Sequence, residues 1–149
     1  MRAVVQRVKQ ASVAVDNEIV GKINNGLLVF LGVAPDDDEK DIKYISEKLK
    51  FLRIFEDENE KMNLSITDVG GQILLISQFT LFGDCRKGRR PDFTASCEPV
   101  KAKKLYEDVI DALKAQEIVT EHGIFGADMQ VELVNDGPVT ILLDSTKLF

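Results

Sequence analysis

Residues 129–143 read MQVELVNDGPVTILL, and this stretch says more about the fold than any other in the chain. Apolar and polar residues alternate before the Gly137-Pro138 pair, as in a strand with one buried face, and residues 139–143 form a second β-like run. Proline lacks the N–H that a sheet ladder needs, so strands usually hold it at an edge or a corner. The local pattern favours a hairpin corner at Gly137-Pro138. A cis peptide bond that points two successive carbonyls to one side is the alternative.

The chain before this stretch predicts several more strands. β-branched and apolar residues predict strands over the ranges 3–5 (with Val8), 12–15, 19–23 and 27–31. The last of these follows the turn residues Asn24, Asn25 and Gly26 and is apolar throughout, which is typical of a strand covered on both faces. A further short strand is expected over residues 52–55.

Two helices are expected, each with one apolar stripe at helical spacing. The first begins at the aspartates 36–38, and the second begins near Pro99. The stripe of the first contains Ile42, Ile45, Leu49 and Leu52, and that of the second contains Ala102, Tyr106, Val109 and Leu113. Strands flanked by two helices make a mixed α/β fold, and we expect one domain over residues 1–149.

The composition of the 149 residues is that of an ordinary globular protein, with 44% apolar and 30% charged residues. No apolar run approaches the length of about 20 residues that spans a bilayer, and no targeting segment precedes the first strand. The two cysteines, Cys85 and Cys97, form no ligand pattern. We therefore expect a cytoplasmic protein with reduced thiols, no metal and no cofactor.

The net charge of −6 argues against indiscriminate binding of nucleic acid. A local basic site is still open, because four cations lie within five residues and three lysines follow at 101–104. The four cations are Arg86, Lys87, Arg89 and Arg90. By charge alone, a solvated loop and a solvated helix face are the favoured interpretation.

Residues 73–82 predict a central strand that carries Ser77, Gln78 and Thr80 at one end. Polar groups there either cap neighbouring loops or meet a ligand. Backbone N–H groups that leave the ladder at this point could form an oxyanion hole, whereas Thr80 as a nucleophile would lack an adjacent base. A third possibility is a cysteine hydrolase, in which Cys85 or Cys97 would have to converge with His122, the single histidine.

Several motifs, in order along the whole chain, resemble the D-aminoacyl-tRNA deacylase family. They are VQRV at 5–8, SQFTL at 77–81, KGRRP at 87–91, GIFGADM at 123–129 and NDGPVT at 135–140. The resemblance implies a layered β/β/α domain with barrel-like sheets that forms a homodimer. It implies a hydrolase of D-aminoacyl-tRNA, and of glycyl-tRNA mischarged on the wrong tRNA, that performs chiral proofreading in translation.

The same resemblance implies roles for particular residues. Gly137 and Pro138, joined by a cis bond, would enter the partner's site and present carbonyls that exclude an L side chain. N–H groups at Phe79 and Thr80 would hold the ester carbonyl oxygen, and Gln78 and Ser77 would place the substrate. The ribose 2′-hydroxyl would assist the attack of water on the ester. Covalent attack by Thr80 is the rival mechanism. Supporting roles fall to Arg7 beside the Gly-Pro segment and to Phe125 and Met129 in a terminal-adenosine pocket.

A local basic strip would reconcile an acidic protein with a tRNA substrate, through Arg86, Lys87, Arg89 and Arg90. The sequence departs from the family pattern at Asp92, which adds a negative charge beside that strip, and at Cys85. A non-catalytic RNA-binding module on the same fold is the second function to be tested.

Overall fold

The computed structural model describes residues 1–148, and in them a six-stranded sheet curls toward a barrel. The strands are β1 (Arg2–Val15), β2 (Glu18–Ile23), β3 (Gly26–Gly32), β6 (Gln72–Ser77), β7 (Thr120–His122) and β8 (Gln130–Asp144), with a separate ribbon of β4 (Phe55–Glu56) and β5 (Met62–Leu64). The sheet order is β2-β1-β3-β6-β7, with β8 paired to β1. β3, β6 and β7 run parallel, and the other pairs are antiparallel. The sheet nearly closes, since a Cβ on Gly21 of β2 would lie 2.8 Å from the carbonyl oxygen of His122 in β7.

The predicted strands at 3–5 and 12–15 are one strand, β1. Its register against β8 shifts between Val8 and Gln10, where the chain bulges at the exposed Lys9. The bulge interrupts the alternation of buried residues, which is why the sequence pattern reads as two strands. Along β1 the buried residues pass from one apolar cluster to another, with Val5 in the first and Val8 and Val13 in the second.

The predicted hairpin corner at Gly137-Pro138 is wrong. β8 runs through the pair as one strand and is antiparallel to β1 on both sides of it. Gln6 pairs with Thr140 and Val8 with Asn135, so residues 136–139 bulge out opposite the single residue Arg7. The Gly137-Pro138 bond is cis. Proline is tolerated here because a bulged segment donates nothing to the ladder.

Both predicted helices are present as α1 (Glu39–Phe51) and α2 (Pro99–Ala115). Asp38 caps the first with a capping box, and Glu98 caps the second immediately before Pro99. The helices cover one face of the sheet over the larger apolar cluster, while the smaller cluster fills the inside of the curled sheet. These layers agree with the expected β/β/α arrangement. Neither helix is long and apolar enough to cross a membrane.

Two predicted strands end elsewhere than expected. Of residues 52–55, only Phe55 lies in a strand, because Leu52 caps the C-terminus of α1. The run at 73–82 is a strand only as far as Ser77, and Phe79–Phe82 form a 3₁₀ turn. An apolar run alone does not distinguish a strand from such a turn.

Candidate active site

The end of β6 leaves two backbone donors without partners. The N–H of Gln78 still donates to the carbonyl oxygen of Leu31 at 2.8 Å, and the 3₁₀ turn starts with the Leu81 N–H donating to the Gln78 carbonyl at 3.3 Å. Between these two bonds, within residues 1–148, the N–H groups of Phe79 and Thr80 make no hydrogen bond. Adjacent free N–H groups at a strand end are the elements of an oxyanion hole.

Within residues 1–148, no carboxylate or imidazole forms a hydrogen bond with the side chains of Ser77–Thr80. Gln78 donates from Nε2 to Oγ1 of Thr80, while Ser77 is half-buried at the last position of β6. The Phe79 side chain is 58% exposed, and its ring packs edge-on against Phe93, with 5.2 Å between ring centroids. An amide is not a proton acceptor at neutral pH, so Gln78 does not activate the Thr80 hydroxyl.

Two residues that the sequence did not reveal fix this turn in place. Gly32 ends β3 so close to the turn that a Cβ there would lie 2.9 Å from the Gln78 carbonyl oxygen and 3.0 Å from the Phe82 ring. Arg2 donates from Nη1 to the carbonyl oxygen of Leu81 at 3.1 Å, and its guanidinium carbon lies 4.6 Å from the centre of the Phe82 ring. Neither carries a local signal, because their partners are distant in sequence.

Phe125 and Met129 lie beside the same strand. The ring of Phe125 packs against Tyr106 at 5.9 Å, and the Tyr106 hydroxyl donates to the carbonyl of Leu75 in β6 at 2.8 Å. Burial raises the pKa of Tyr106, so the hydroxyl stays protonated as this bond requires. Met129 packs over Gly123, whose missing Cβ leaves room for the thioether. Both side chains therefore lie near the C-terminal end of β6, just before the candidate site.

The Gly137-Pro138 bulge is exposed and is anchored by a buried arginine. Arg7 is 4% exposed and donates from Nε to the Asp136 carbonyl at 3.2 Å, while the same nitrogen lies 2.9 Å from the Asp136 carboxylate. Its Nη1 donates to the carbonyl of Ile54 at 2.6 Å. The Asn135 amide donates to the carbonyls of Arg7 and Val139, which closes the base of the bulge.

Within one chain, the bulge and the turn lie apart, with strands β3 and β1 between β6 and β8. Ser77 pairs with Leu31, which pairs with Ala3, whereas the bulge lies opposite Arg7. Arg7 is four residues further along β1, an offset of about 13 Å along the strand direction, to which the spacing of the strands between β6 and β8 adds. The structure therefore places Phe125 and Met129 near the part of β6 that precedes Ser77–Thr80, and Arg7 beside Gly137-Pro138, but does not bring Gly137-Pro138 to Ser77–Thr80 within one chain.

The basic loop is held closed at its base by two acidic residues. Asp84 and Asp92 exchange backbone hydrogen bonds of 2.7 and 3.0 Å. The Arg86 guanidinium hydrogen-bonds to the Asp84 carboxylate and lowers its pKa from 3.8 to about 2. Lys87, Arg89 and Arg90 are exposed and form no ion pair within the described residues 1–148.

Several charged residues next to the basic loop already have partners within the protein. The Asp92 carboxylate accepts from the N–H and hydroxyl of Thr94 and is thus engaged in its own turn. On α2, Lys103 and Lys104 pair with Glu107 and Asp108, and Lys101 donates to the carbonyl of Pro35. Lys103 and Lys104 therefore add less unpaired charge to the strip than the sequence suggests.

Neither cysteine lies in a catalytic arrangement. Cys97 is buried, and its burial raises the pKa of the thiol, which disfavours the reactive thiolate. His122 makes its ring contact with the carbonyl oxygen of Gly123 at 2.9 Å, and no hydrogen bond joins it to Cys85 or Cys97 among residues 1–148. The same residues contain no group of three or more His, Cys, Asp or Glu side chains that could hold a metal ion.

Comparisons with known proteins show the family of the chain. A model of the D-Tyr-tRNA(Tyr) deacylase family matches residues 4–144. The chain is 62% identical to a D-aminoacyl-tRNA deacylase of Thermosipho africanus and 60% identical to one of Koribacter versatilis, over 100% of each chain. Among solved structures, a c-Myc DNA Unwinding Element Binding Protein matches with a TM-score of 0.91 at 40% identity, covering 97% of this chain and 98% of that one. A probable eukaryotic D-amino acid tRNA deacylase shares the fold, with a TM-score of 0.80 at 17% identity over 95% and 97% of the two chains. The chain belongs to the D-Tyr-tRNA(Tyr) deacylase family.

Proposed function

We propose that the protein hydrolyses the ester between a D-amino acid and the terminal ribose of tRNA. The observation that carries this proposal is the pair of free N–H groups at Phe79 and Thr80, at the end of a strand without a catalytic base. Family membership and the names of its relatives support the substrate. An aminoacyl ester is already activated, so positioning and stabilisation of the oxyanion are the main requirements.

In the proposed reaction, water attacks the ester carbonyl and the negative charge develops on the carbonyl oxygen. The two N–H groups stabilise that oxygen, with Gln78 and Ser77 placing the substrate around it. The carbon–oxygen bond to ribose then breaks, the ribose oxygen takes a proton, and the amino acid leaves as the free acid. The neighbouring ribose 2′-hydroxyl assists the attack.

Covalent catalysis by Thr80 is the second mechanism. It requires a group that removes the hydroxyl proton, and the partner of Thr80 is the Gln78 amide. We therefore assign the Thr80 side chain to positioning and its backbone to oxyanion stabilisation.

We further propose that the protein acts as a homodimer and that Gly137 and Pro138 enter the partner's site. Their exposure and their offset of about 13 Å along β1 from the level of the same chain's turn both support a role in a second copy. Their carbonyls would receive the α-ammonium group and exclude an L side chain. Glycine has no side chain to exclude, so mischarged glycyl-tRNA would also be a substrate.

The tRNA would be held at two places. Phe125 and Met129 border β6 and would receive the terminal adenosine, and the loop with Arg86, Lys87, Arg89 and Arg90 would contact phosphates. Such an enzyme would work in the cytoplasm, where charged tRNA is used.

The test compares matched D- and L-aminoacyl-tRNA carrying the same amino acid on the same tRNA. We expect loss of the D ester and persistence of the L ester, followed as release of labelled amino acid. Equal rates for both enantiomers, or no hydrolysis of the D ester despite binding, would overturn the proposal, and the second result would favour the non-catalytic RNA-binding module. Alkylation of both cysteines should leave the rate unchanged.

A further inference from the structure

Arg2 is the first residue of β1 and contacts three separate parts of the chain. Its Nη1 donates to the carbonyl oxygen of Leu81 at 3.1 Å, and its Nε donates to Oδ2 of Asp144 at 3.0 Å. Its guanidinium carbon lies 4.6 Å from the centre of the Phe82 ring. Leu81 and Phe82 are the last two residues of the 3₁₀ turn that begins with the free N–H groups.

That turn has few attachments of its own. It lies beyond the last pair of β6. Among residues 1–148, the bond from the Gln78 N–H to the Leu31 carbonyl is the only backbone hydrogen bond between the N-terminal side of the turn and the sheet. A 3₁₀ turn also has poorer hydrogen-bond geometry than an α-helix. The guanidinium of Arg2 supplies a polar attachment on the C-terminal side, where Phe82 also packs against Gly32.

Asp144 fixes the orientation of the guanidinium. The two residues are direct partners across β1 and β8, and the Asp144 carboxylate is buried. Its other oxygen accepts from the N–H and hydroxyl of Thr146. Burial alone would raise the pKa of Asp144, but the hydrogen bonds from Thr146 and Arg2 outweigh burial and hold the pKa below 3.8. The carboxylate is therefore charged at neutral pH and holds Arg2 toward Leu81.

We propose that Arg2 is a positioning residue of the hydrolytic site, which holds the Leu81 carbonyl and thereby sets the places of the Phe79 and Thr80 N–H groups. This inference rests on the proposed function for its kinetic consequence, but the placement of the turn can be measured without it. Arg2 does not touch the reacting atoms. Its effect is expected in catalysis, because the oxyanion donors must be accurately placed in the transition state.

The kinetic test uses Arg2→Met, which keeps much of the apolar stem, and Arg2→Lys, which keeps the charge but not the planar fork. We expect Arg2→Met to lower kcat about ten-fold or more with KM changed less than about two-fold, at a temperature where circular dichroism shows a folded variant. Arg2→Lys should retain an intermediate kcat, and added methylguanidinium should raise the kcat of Arg2→Met. A fully active Arg2→Met would overturn the proposal.

The matched control is Arg53→Met. Arg53 also donates from Nε to a backbone carbonyl, that of Asn63 at 2.7 Å, but in the β4–β5 ribbon. The Arg53→Met variant should leave kcat unchanged. An equal loss of kcat in Arg53→Met and Arg2→Met would show that removing any bond from an arginine to a backbone carbonyl lowers kcat through general stability, and would also overturn the proposal.

A second readout separates this inference from the proposed function. In spectra of protein labelled with ¹⁵N at Phe and Thr, Arg2→Met should shift the amide signals of Phe79 and Thr80, whereas Arg53→Met should not. Unshifted signals would overturn the role of Arg2 even if the wild type is a deacylase. Shifted signals in a protein that hydrolyses no D-aminoacyl ester would leave the role of Arg2 in placing the turn intact and refute the proposed function.

Discussion

At the scale of single residues, the site combines polar side chains that satisfy each other with backbone groups that are left free. Gln78 and Thr80 form one pair, and each nitrogen of the Arg7 guanidinium has a partner, in Asp136, Ile54 or Glu56. A buried arginine is stable only when its donors are paired, so Arg7 fixes the segment that pairs with it. The groups that remain free to bind the substrate oxygen are the backbone N–H groups of Phe79 and Thr80.

We predict that Thr80→Val keeps most of the turnover on D-aminoacyl-tRNA. The substitution preserves the shape of the side chain and the backbone N–H but removes the hydroxyl, which has no base beside it. Rates under single-turnover conditions should stay within about ten-fold of the wild type, the range of a lost hydrogen bond of about 1 kcal/mol. A loss of several orders of magnitude would instead establish Thr80 as the nucleophile.

Single residues also mark the limit of what the sequence could predict. The motif at 77–81 indicated where the candidate site lies. The sequence did not predict that Gly32 and Arg2 support it, because they contact Gln78 and Leu81 across the sheet. Arg7 was connected to Gly137-Pro138 only through the resemblance. The pairing itself depends on the register of two strands that lie more than a hundred residues apart in the chain.

At the scale of elements, periodicity predicted the helices well and the ends of strands poorly. The apolar stripe of α2 is buried as expected, because a 3.6-residue period has few competing explanations. β6 ends at Ser77 and not at residue 82, and the Gly-Pro pair lies in a bulge and not in a hairpin corner. The sequence did not predict either feature, because both depend on the pairing with neighbouring strands. The basic loop is the element where sequence and structure together make a quantitative prediction.

We predict that the loop controls the salt dependence of tRNA binding. Replacing Lys87, Arg89 and Arg90 together by Gln should weaken binding at low salt and reduce the slope of log K against log salt by about 2, at roughly 0.7–0.9 for each lost phosphate contact. Binding can be followed by fluorescence anisotropy of a labelled, uncharged tRNA.

Lys103→Gln serves as the control for this experiment, because Lys103 is exposed but pairs with Glu107. It should leave the slope unchanged. If the triple variant keeps the wild-type slope, the loop does not contact phosphates.

At the scale of the whole molecule, the decisive fact is the separation of two groups that the proposed reaction needs together. The turn after β6 lies level with Ala3, and the bulge of β8 lies level with Arg7. Strands β3 and β1 lie between the two groups. A second copy of the chain solves this problem if it presents its bulge to the first copy's turn.

We predict that two inactive variants restore activity when mixed. Gly32→Ala would displace the turn, since its Cβ lies 2.9 Å from the Gln78 carbonyl oxygen, and Gly137→Val would alter the bulge. In a mixed dimer, one site combines the intact turn of one chain with the intact bulge of the other. With random pairing, about a quarter of wild-type activity should return after joint refolding.

Refolding each variant separately and then combining the products is the control, and it should show no recovery until subunits exchange. Activity that never exceeds that of the separate variants would mean that turn and bulge act within one chain.

The pairing of β1 with β8 also limits how the Gly-Pro segment can change over evolutionary time. Thr140 and Asn135 are held in register with Gln6 and Val8, so the paired stretches on either side of the bulge have a fixed phase. A residue inserted just after Thr140 would turn Ile141 and the buried Leu143 to the opposite face or break their ladder. A residue inserted among 136–139 would only enlarge the bulge, as loops take up insertions. We therefore expect relatives to keep the two flanking halves of β8 in phase, with any change in length confined to the bulge.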